Sequence, residues 1–531
     1  MKIFNSVSDL QAASLTAGQL TQTKRYYAGQ DGGGATYLIK TAVDYAGTPD
    51  EYGDHSLANG NVAVLQTEGS VNVKLFGATG DGVADDTAAL QAAIDYCTNL
   101  SNRKQTLYFP ANNAGAVYKV TDTLTVSGRL TIKGDGPFST NIYGVGFTTN
   151  KPIVHFTNDP ADVVYYGGIE ELTIRSDNNL ARGIEIKDLS YALFKNIQLY
   201  GLYNGVYVTG TNCFSNFFEQ VTAYQITTYS VHFDSFTGGG QYKFDSCTFT
   251  GNVGFFLSNT AATDGLNFIA CNFEQCASND VYIAGNVSNM VITGCRSEGL
   301  DGSSSILLAP DASKYIYGVS ITGNTWATDN GNAYAVALSG SGTVKGFTIS
   351  GNSGLNVGYL GFVQLNGVGE AGSIFGNYAE NASATSGDGI VNSFRNGVAC
   401  FNNWSNAGRL AEYELGSLSG TLSPTVAGFT SAPTPSLRYA LNGDAVTLDI
   451  PYTAGTSNSG SFTFSTLPAN LRPSVDTEWI VRVTDNGSPA TGFLRVSSSG
   501  VISVYASTIG AAFTASGAKA LSPVSVSYTT V

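Results

Sequence analysis

Phe244-Asp245-Ser246-Cys247-Thr248-Phe249 is followed after a short interval by Phe268-Ile269-Ala270-Cys271-Asn272-Phe273. Both are six-residue units with apolar first and sixth positions and an apolar, Cys or Asn fourth. Phe194-Lys195-Asn196-Ile197-Gln198-Leu199 precedes them, and Ile321-Thr322-Gly323-Asn324-Thr325-Trp326 follows on the same template. The fourth position recurs at 172, 197, 221, 247, 271, 295, 324, 352, 377 and about 403, at intervals of 24 to 29 residues. Between the units runs a second short strand, as in Gly205-Val206-Tyr207-Val208, Gly254-Phe255-Phe256-Leu257 and Val281-Tyr282-Ile283. Two or three strands per period with no helix between them exclude βαβ units, whose crossovers need a dozen residues or more. Such a unit buries its apolar side chains only when the next one stacks on it. The pattern therefore predicts an all-β solenoid, a right-handed parallel β-helix with one coil per period.

From the seventh coil onward the fourth position is Asn (Asn324, Asn352, Asn377, Asn403), which predicts a bend there, because Asn tolerates the left-handed conformation. Cys247, Cys271 and Cys295 share that column on successive coils. They read as stacked thiols acting as small hydrophobes rather than as a disulfide. Upstream, Asp86 opens a helical pattern at about 86–98 with Leu90, Ala93, Ile94 and Cys97 on one face. Asp85, Asp86 and Thr87 supply N-cap chemistry to a helix that would cover one end of the apolar core. Downstream of Trp404 the coil pattern fades into Ser/Thr/Gly-rich alternating strands punctuated by Pro. Three parts are expected: a small N-terminal domain over 1–68, the β-helix over 69–410 and a C-terminal β-sandwich over 411–531.

The formal net charge is −14, against the basic footprint that nucleic acid requires. No apolar run approaches the roughly 18 residues of a membrane helix, so neither nucleic acid nor membrane is an expected partner. The first residues lack the apolar core of a secretory signal, and seven Cys without a CxxC suggest no disulfide framework. A soluble protein made in a reducing cytoplasm is expected.

The stretch Phe76-Gly77-Ala78-Thr79-Gly80-Asp81-Gly82-Val83-Ala84-Asp85-Asp86-Thr87, running into Ala88-Ala89-Leu90-Gln91-Ala92-Ala93-Ile94, resembles the opening motif of pectate-lyase-like β-helix proteins. Phe109-Pro110, Tyr118 and Gly134-Asp135-Gly136 follow in the order of that family. Tyr26-Tyr27-Ala28-Gly29-Gln30-Asp31-Gly32-Gly33-Gly34 resembles the segment preceding the helix in phage tailspike depolymerases. The resemblance implies a homotrimer on the virion, attached to phage tail proteins and acting at the host surface. Its implied activity is internal cleavage of a bacterial capsular polysaccharide or O-antigen. The Asn-Thr-Asp and Gly-His-Gly motifs of polygalacturonases are missing, which removes pectin as an expected substrate. Asp81, Asp85 and Asp86 are explained by turn and cap roles, so neither metal nor cofactor is expected.

Hydrolysis of a glycosidic bond needs two carboxyl groups, one of them protonated. Glu274 and Glu298 both lie three residues after the fourth position and should stack on adjacent coils, with Arg296 placed to hold a substrate carboxylate. Glu219 and Asp245 both lie two residues before it and form a second aligned pair. Like charges so close raise one pKa, which keeps a general acid protonated. Another outward column runs Glu185, Tyr207, His232, Phe256, Tyr282, with Tyr224 extending it. It is read either as a stacking platform for sugar rings or as a contact between protomers. Three alternatives remain open: a lyase acting by β-elimination, a non-cutting polysaccharide-binding adhesin, and a structural fibre whose long coil spaces two end domains.

Overall fold

The computed structural model describes the chain except for residues 30–31, 100–105, 112–114, 158–163, 238, 301, 303, 328–333, 356–362, 366–368, 381–397, 402, 406–407, 410–416, 443 and 531. Each coil supplies one strand to each of three parallel sheets. In one coil, residues 193–195 lie in the first sheet, 197–200 in the second and 204–209 in the third. Register carries from coil to coil: Phe194 pairs with Phe218, Phe218 with Phe244, and Phe244 with Phe268. Their rings stack inside the bore at 4.9, 4.7 and 5.1 Å. Each buried ring contributes roughly 1.5–3 kcal/mol. The hydrophobic column is thus the main cohesive term. The described structure is a parallel β-helix, as the periodicity requires.

The corner between the first and second sheets is made one residue earlier than the sequence suggests. Asn196, Gln220, Ser246 and Ala270 have φ of 49, 53, 53 and 51°, and Gly294, Gly323, Gly351 and Gly376 continue the column at 62–65°. The fourth-position Asn residues are therefore not bends. They are buried, and their amides form a ladder: Asn324 Nδ2 donates to Asn352 Oδ1 at 3.0 Å, Asn352 to Asn377 and Asn377 to Asn403 at 2.9 Å. Each Oδ1 also accepts a backbone N–H from the coil before, beginning with Cys295. The second amide proton of each reaches a carbonyl of an Ile on the preceding coil. Burying an amide is tolerable only when it is satisfied in this way. In the earlier coils Cys247, Cys271 and Cys295 fill the same column as buried thiols that form no disulfide.

The helix Thr87–Thr98 buries Ala89, Leu90, Ala93, Ile94 and Cys97. Asp86 does not cap it. Its carboxylate accepts from Thr79 N, Thr79 Oγ1 and Gly80 N instead, tying down the preceding turn. Asp85 serves the helix end, accepting from Thr87 N at 3.0 Å. A five-stranded N-terminal sheet, built from segments between Lys2–Phe4 and Val62–Gln66, belongs to the same compact unit as the β-helix. The second unit comprises Asn396–Phe401 and Glu412–Val531. Its four- and seven-stranded antiparallel sheets enclose a core including Leu448, Phe464, Leu494 and Tyr528, a β-sandwich. Among the described residues no helix is long and apolar enough to cross a membrane.

Candidate active site

The structure stacks both expected acid pairs. Glu274 stands opposite Glu298 and Asn272 opposite Arg296 on the second sheet. Glu298 is bound to Arg296 at 2.6 Å, the two side chains being 50 % and 53 % exposed. Glu274 accepts from Asn272 Nδ2. Glu219 stands opposite Asp245, but each carries its own lysine: Lys195 lies 3.0 Å from Glu219 and Lys243 lies 2.7 Å from Asp245. The Lys243 contact holds the Asp245 carboxyl below its ordinary range. Asp245 is thereby an ionised partner, so it is not the member of the pair whose pKa the alignment would raise. The first-sheet column reads Lys133, Glu170, Lys195, Glu219, Asp245, largely alternating in sign.

Tyr224 stacks on Tyr200 at 6.1 Å in the second sheet, so it does not extend the His232 column. That column lies on the third sheet, and it begins one coil earlier than expected. His155 pairs with Glu185, then follow Tyr207, His232, Phe256 and Tyr282 in unbroken register. Around Tyr207 the column becomes a cluster. The Arg182 guanidinium sits 3.5 Å from the Tyr207 ring centre and 2.6 Å from Glu185. His155 Nε2 is 3.6 Å from the same glutamate. The Tyr207 hydroxyl donates to Asp234 at 2.9 Å, and Ser258 and Thr260 donate to the other Asp234 oxygen at 3.0 and 2.9 Å. His232 packs against Tyr229, Phe256 and Tyr207 at 4.5, 5.1 and 5.2 Å. Neither of its ring nitrogens has a hydrogen-bond partner, nor does Arg182 Nε.

Burial sets the protonation states here. It pushes His232 down to about 4, so the imidazole is neutral at neutral pH. Burial and then the Asp234 contact push Tyr207 up to about 12, which keeps the phenol protonated. Burial works to raise the Asp234 carboxyl, yet the hydroxyls of Thr260, Tyr207 and Ser258 outweigh it and hold it below the usual range. The cluster thus combines a neutral imidazole, a phenol whose proton is held by Asp234 and a guanidinium, with the unmatched His232 nitrogens and Arg182 Nε enclosed beneath the surface. Perturbed titratable groups gathered on one face are a marker of function. Among the described residues no group of three His, Cys, Asp or Glu is placed to hold a metal ion. Arg182, Asp234, Tyr229 and His155 are absent from the sequence reading, although Asp234 lies two residues after His232 and hence on its face.

Residues 70–200 match the family model described as rhamnogalacturonase A/epimerase, pectate lyase-like. Two curated relatives are mannuronan C5-epimerases of Azotobacter vinelandii. AlgE5 is 37% identical over 125 residues, covering 21% of this chain and 11% of that protein. AlgE1 is 43% identical over 83 residues, covering 15% and 6%. The chain therefore spans about a tenth or less of these relatives' length. The tailspike protein gp49 of Acinetobacter baumannii bacteriophage Fri1, a capsular polysaccharide depolymerase, superposes with a TM-score of 0.55 at 13% identity over 100% of this chain and 98% of that one. The chain has the tailspike fold. The gp42 tailspike of Acinetobacter phage vb_AbaP_AS12 also superposes at 0.55 and 13% identity, over 95% of this chain and 93% of that one. At such identities the likeness concerns the fold. Within this tailspike fold, the segment matching the family model carries the capping helix together with His155, Arg182 and Glu185.

Proposed function

We propose that this chain is a phage tailspike depolymerase that cuts a bacterial surface polysaccharide internally, with the third-sheet cluster around Tyr207 and His232 as its reactive centre. The observation that carries the reading is His232: neutral, with both ring nitrogens unpartnered, seated against a tyrosine whose hydroxyl is held by Asp234. With the Arg182 guanidinium beside it, the set suits β-elimination of a uronate. Arg182 neutralises the sugar carboxylate, His232 takes the proton at C5 once the substrate uncovers its enclosed ring nitrogens, and Tyr207 turns its hydroxyl proton from Asp234 to the departing glycosidic oxygen. The carboxylate drawn in beside His232 raises its pKa from about 4 toward the working range. The local likeness to mannuronan C5-epimerases supports a uronate, and the likeness to a capsular depolymerase supports a surface polymer.

A second reading is hydrolysis at Glu274 and Glu298, favoured by their direct register beside Arg296. Incubating the protein with purified capsules and O-antigens and sizing the products tests both. Shortened chains with new ultraviolet-absorbing unsaturated ends support elimination; shortened chains without them support the carboxyl pair. A polymer retained at full length on a protein that binds it sinks the depolymerase and leaves an adhesin.

A further inference from the structure

We infer that the outward face of the second sheet carries a holding site for an acidic polysaccharide, centred on Arg175 and separate from the third-sheet cluster; this rests on the polysaccharide part of the reading above. Four side chains form one column in unbroken register: Tyr143 pairs with Arg175, Arg175 with Tyr200 and Tyr200 with Tyr224. Coils rise by about 4.8 Å, so the column runs about 14 Å along the axis of the β-helix. The Arg175 guanidinium lies 4.0 Å from the Tyr143 ring centre. Tyr200 and Tyr224 stack at 6.1 Å and 18° from parallel, and Tyr224, which ends the column, is 44 % exposed. On the preceding coil Lys119 is also in register, but it stands opposite Asp85, which leaves Arg175 as the cation of the column.

The rings cohere with one another and need no ligand; the guanidinium is what the fold leaves over. One of its faces rests on Tyr143, and among the described residues no oxygen accepts from its N–H groups and no carboxylate pairs with it. The chain has 40 Asp and Glu against 26 Lys and Arg, and Arg182 and Arg296 each meet a carboxylate at 2.6 Å. Stacking holds Arg175 in place while its planar fork stays open to a carboxylate, which fits it bidentately. Two residues earlier on the same strands run Thr173, Gln198, Thr222 and Thr248, a row of hydroxyls and an amide without a charge. A sugar polymer laid along the axis therefore meets aromatic rings, neutral hydrogen-bonding partners and one cation, a set that suits a chain with an acidic substituent. The first sheet offers no such place, because Lys195 and Lys243 are already paired.

The test takes Tyr207→Phe as the parent, so that the polymer stays whole, and passes it over a panel of immobilised acidic and neutral capsules and O-antigens. Adding Arg175→Gln with Tyr224→Ala should weaken retention on an acidic polymer about tenfold or more. Arg175→Lys, which keeps the charge but loses the fork, should weaken it about threefold or more, and it judges the site alone if the double substitution fails to fold. Lys195→Met should leave retention unchanged. Weaker retention with both Arg175 variants supports the site. Equal retention by them, retention on neutral polymers only, retention on none, or an equal loss with Lys195→Met overturns it. So does a changed oligomeric state with unchanged retention, which would make the column a contact between copies of this chain. A wild type that shortens no polymer, while Tyr207→Phe is retained through Arg175, sinks the depolymerase reading alone. Cleavage together with retention indifferent to Arg175 sinks the holding site alone.

Discussion

The first and third sheets of the β-helix are built from the same coils, yet they treat charge in opposite ways. On the first sheet, Glu170, Glu219 and Asp245 each meet a lysine, and the side chains of these pairs are a quarter to a half exposed. Such pairs gain about 0–1 kcal/mol, because water already solvates both partners. On the third sheet, Arg182, Glu185, His155 and His232 are mostly covered, aromatic rings replace water around them, and several polar atoms go unmatched. Desolvation makes every interaction there stronger and every unmade one costlier. Alignment of acids is therefore cheap on a β-helix and common, whereas half-buried unpaired groups are costly and informative.

The largest expected effect breaks the comparison in activity. Tyr207→Phe and His232→Ala should each lower kcat on the cleaved polymer by roughly 10²–10⁴-fold, and Glu219→Gln should leave it unchanged. Equal losses on both faces, measured by product-release rates, would remove the distinction.

The inward side of the third sheet sharpens it. Asp280 is fully enclosed and accepts from Ser305 Oγ, which itself receives Trp326 Nε1 at 2.7 Å. Burial raises its carboxyl to about 6. The folded chain thus keeps a proton between about pH 4 and 6 that the unfolded chain has released, so this group's contribution to stability falls as pH rises through that window. Asp280→Asn should stabilise by up to about 3 kcal/mol at pH 8 and by little at pH 4, read from denaturant midpoints at the two values.

Third in size is the ion pair itself. Arg182→Met leaves Glu185 half-buried without its guanidinium and should cost about 2 kcal/mol. Lys195→Met, on the first sheet, should stay within about 1 kcal/mol. Chemical denaturation of the two variants side by side decides whether burial or mere pairing governs the difference.

The last effect is a slope, read across a pH window and not at a single pH. His232 is held near 4 by burial, as is His55 in the N-terminal sheet. An unfolded histidine takes its proton near 6.5. These groups make stability rise with pH between about 4 and 6.5, opposite in sign to Asp280. In His232→Gln that rise should be shallower, and an unchanged slope across a pH series of melts would show that the imidazole is not desolvated.

The sequence by itself determined the coil. A period of 24 to 29 residues, the apolar first and sixth positions and the helical face of Leu90, Ala93, Ile94 and Cys97 are properties of neighbours along the chain. Register on adjacent coils followed from the same spacing, which is why Glu274 and Glu298 face each other. Tertiary structure alone decided what those alignments mean. The bend falls one residue before the Asn column because only the closed corner shows which backbone turns left-handed and which amide is buried. Arg182 reaches a tyrosine on the following coil, and Asp234 is aimed back at the same ring. Such contacts depend on how deeply each outward side chain is covered by the coils above and below it. Periodicity records the direction a residue faces; only the packed coils record how much water remains there.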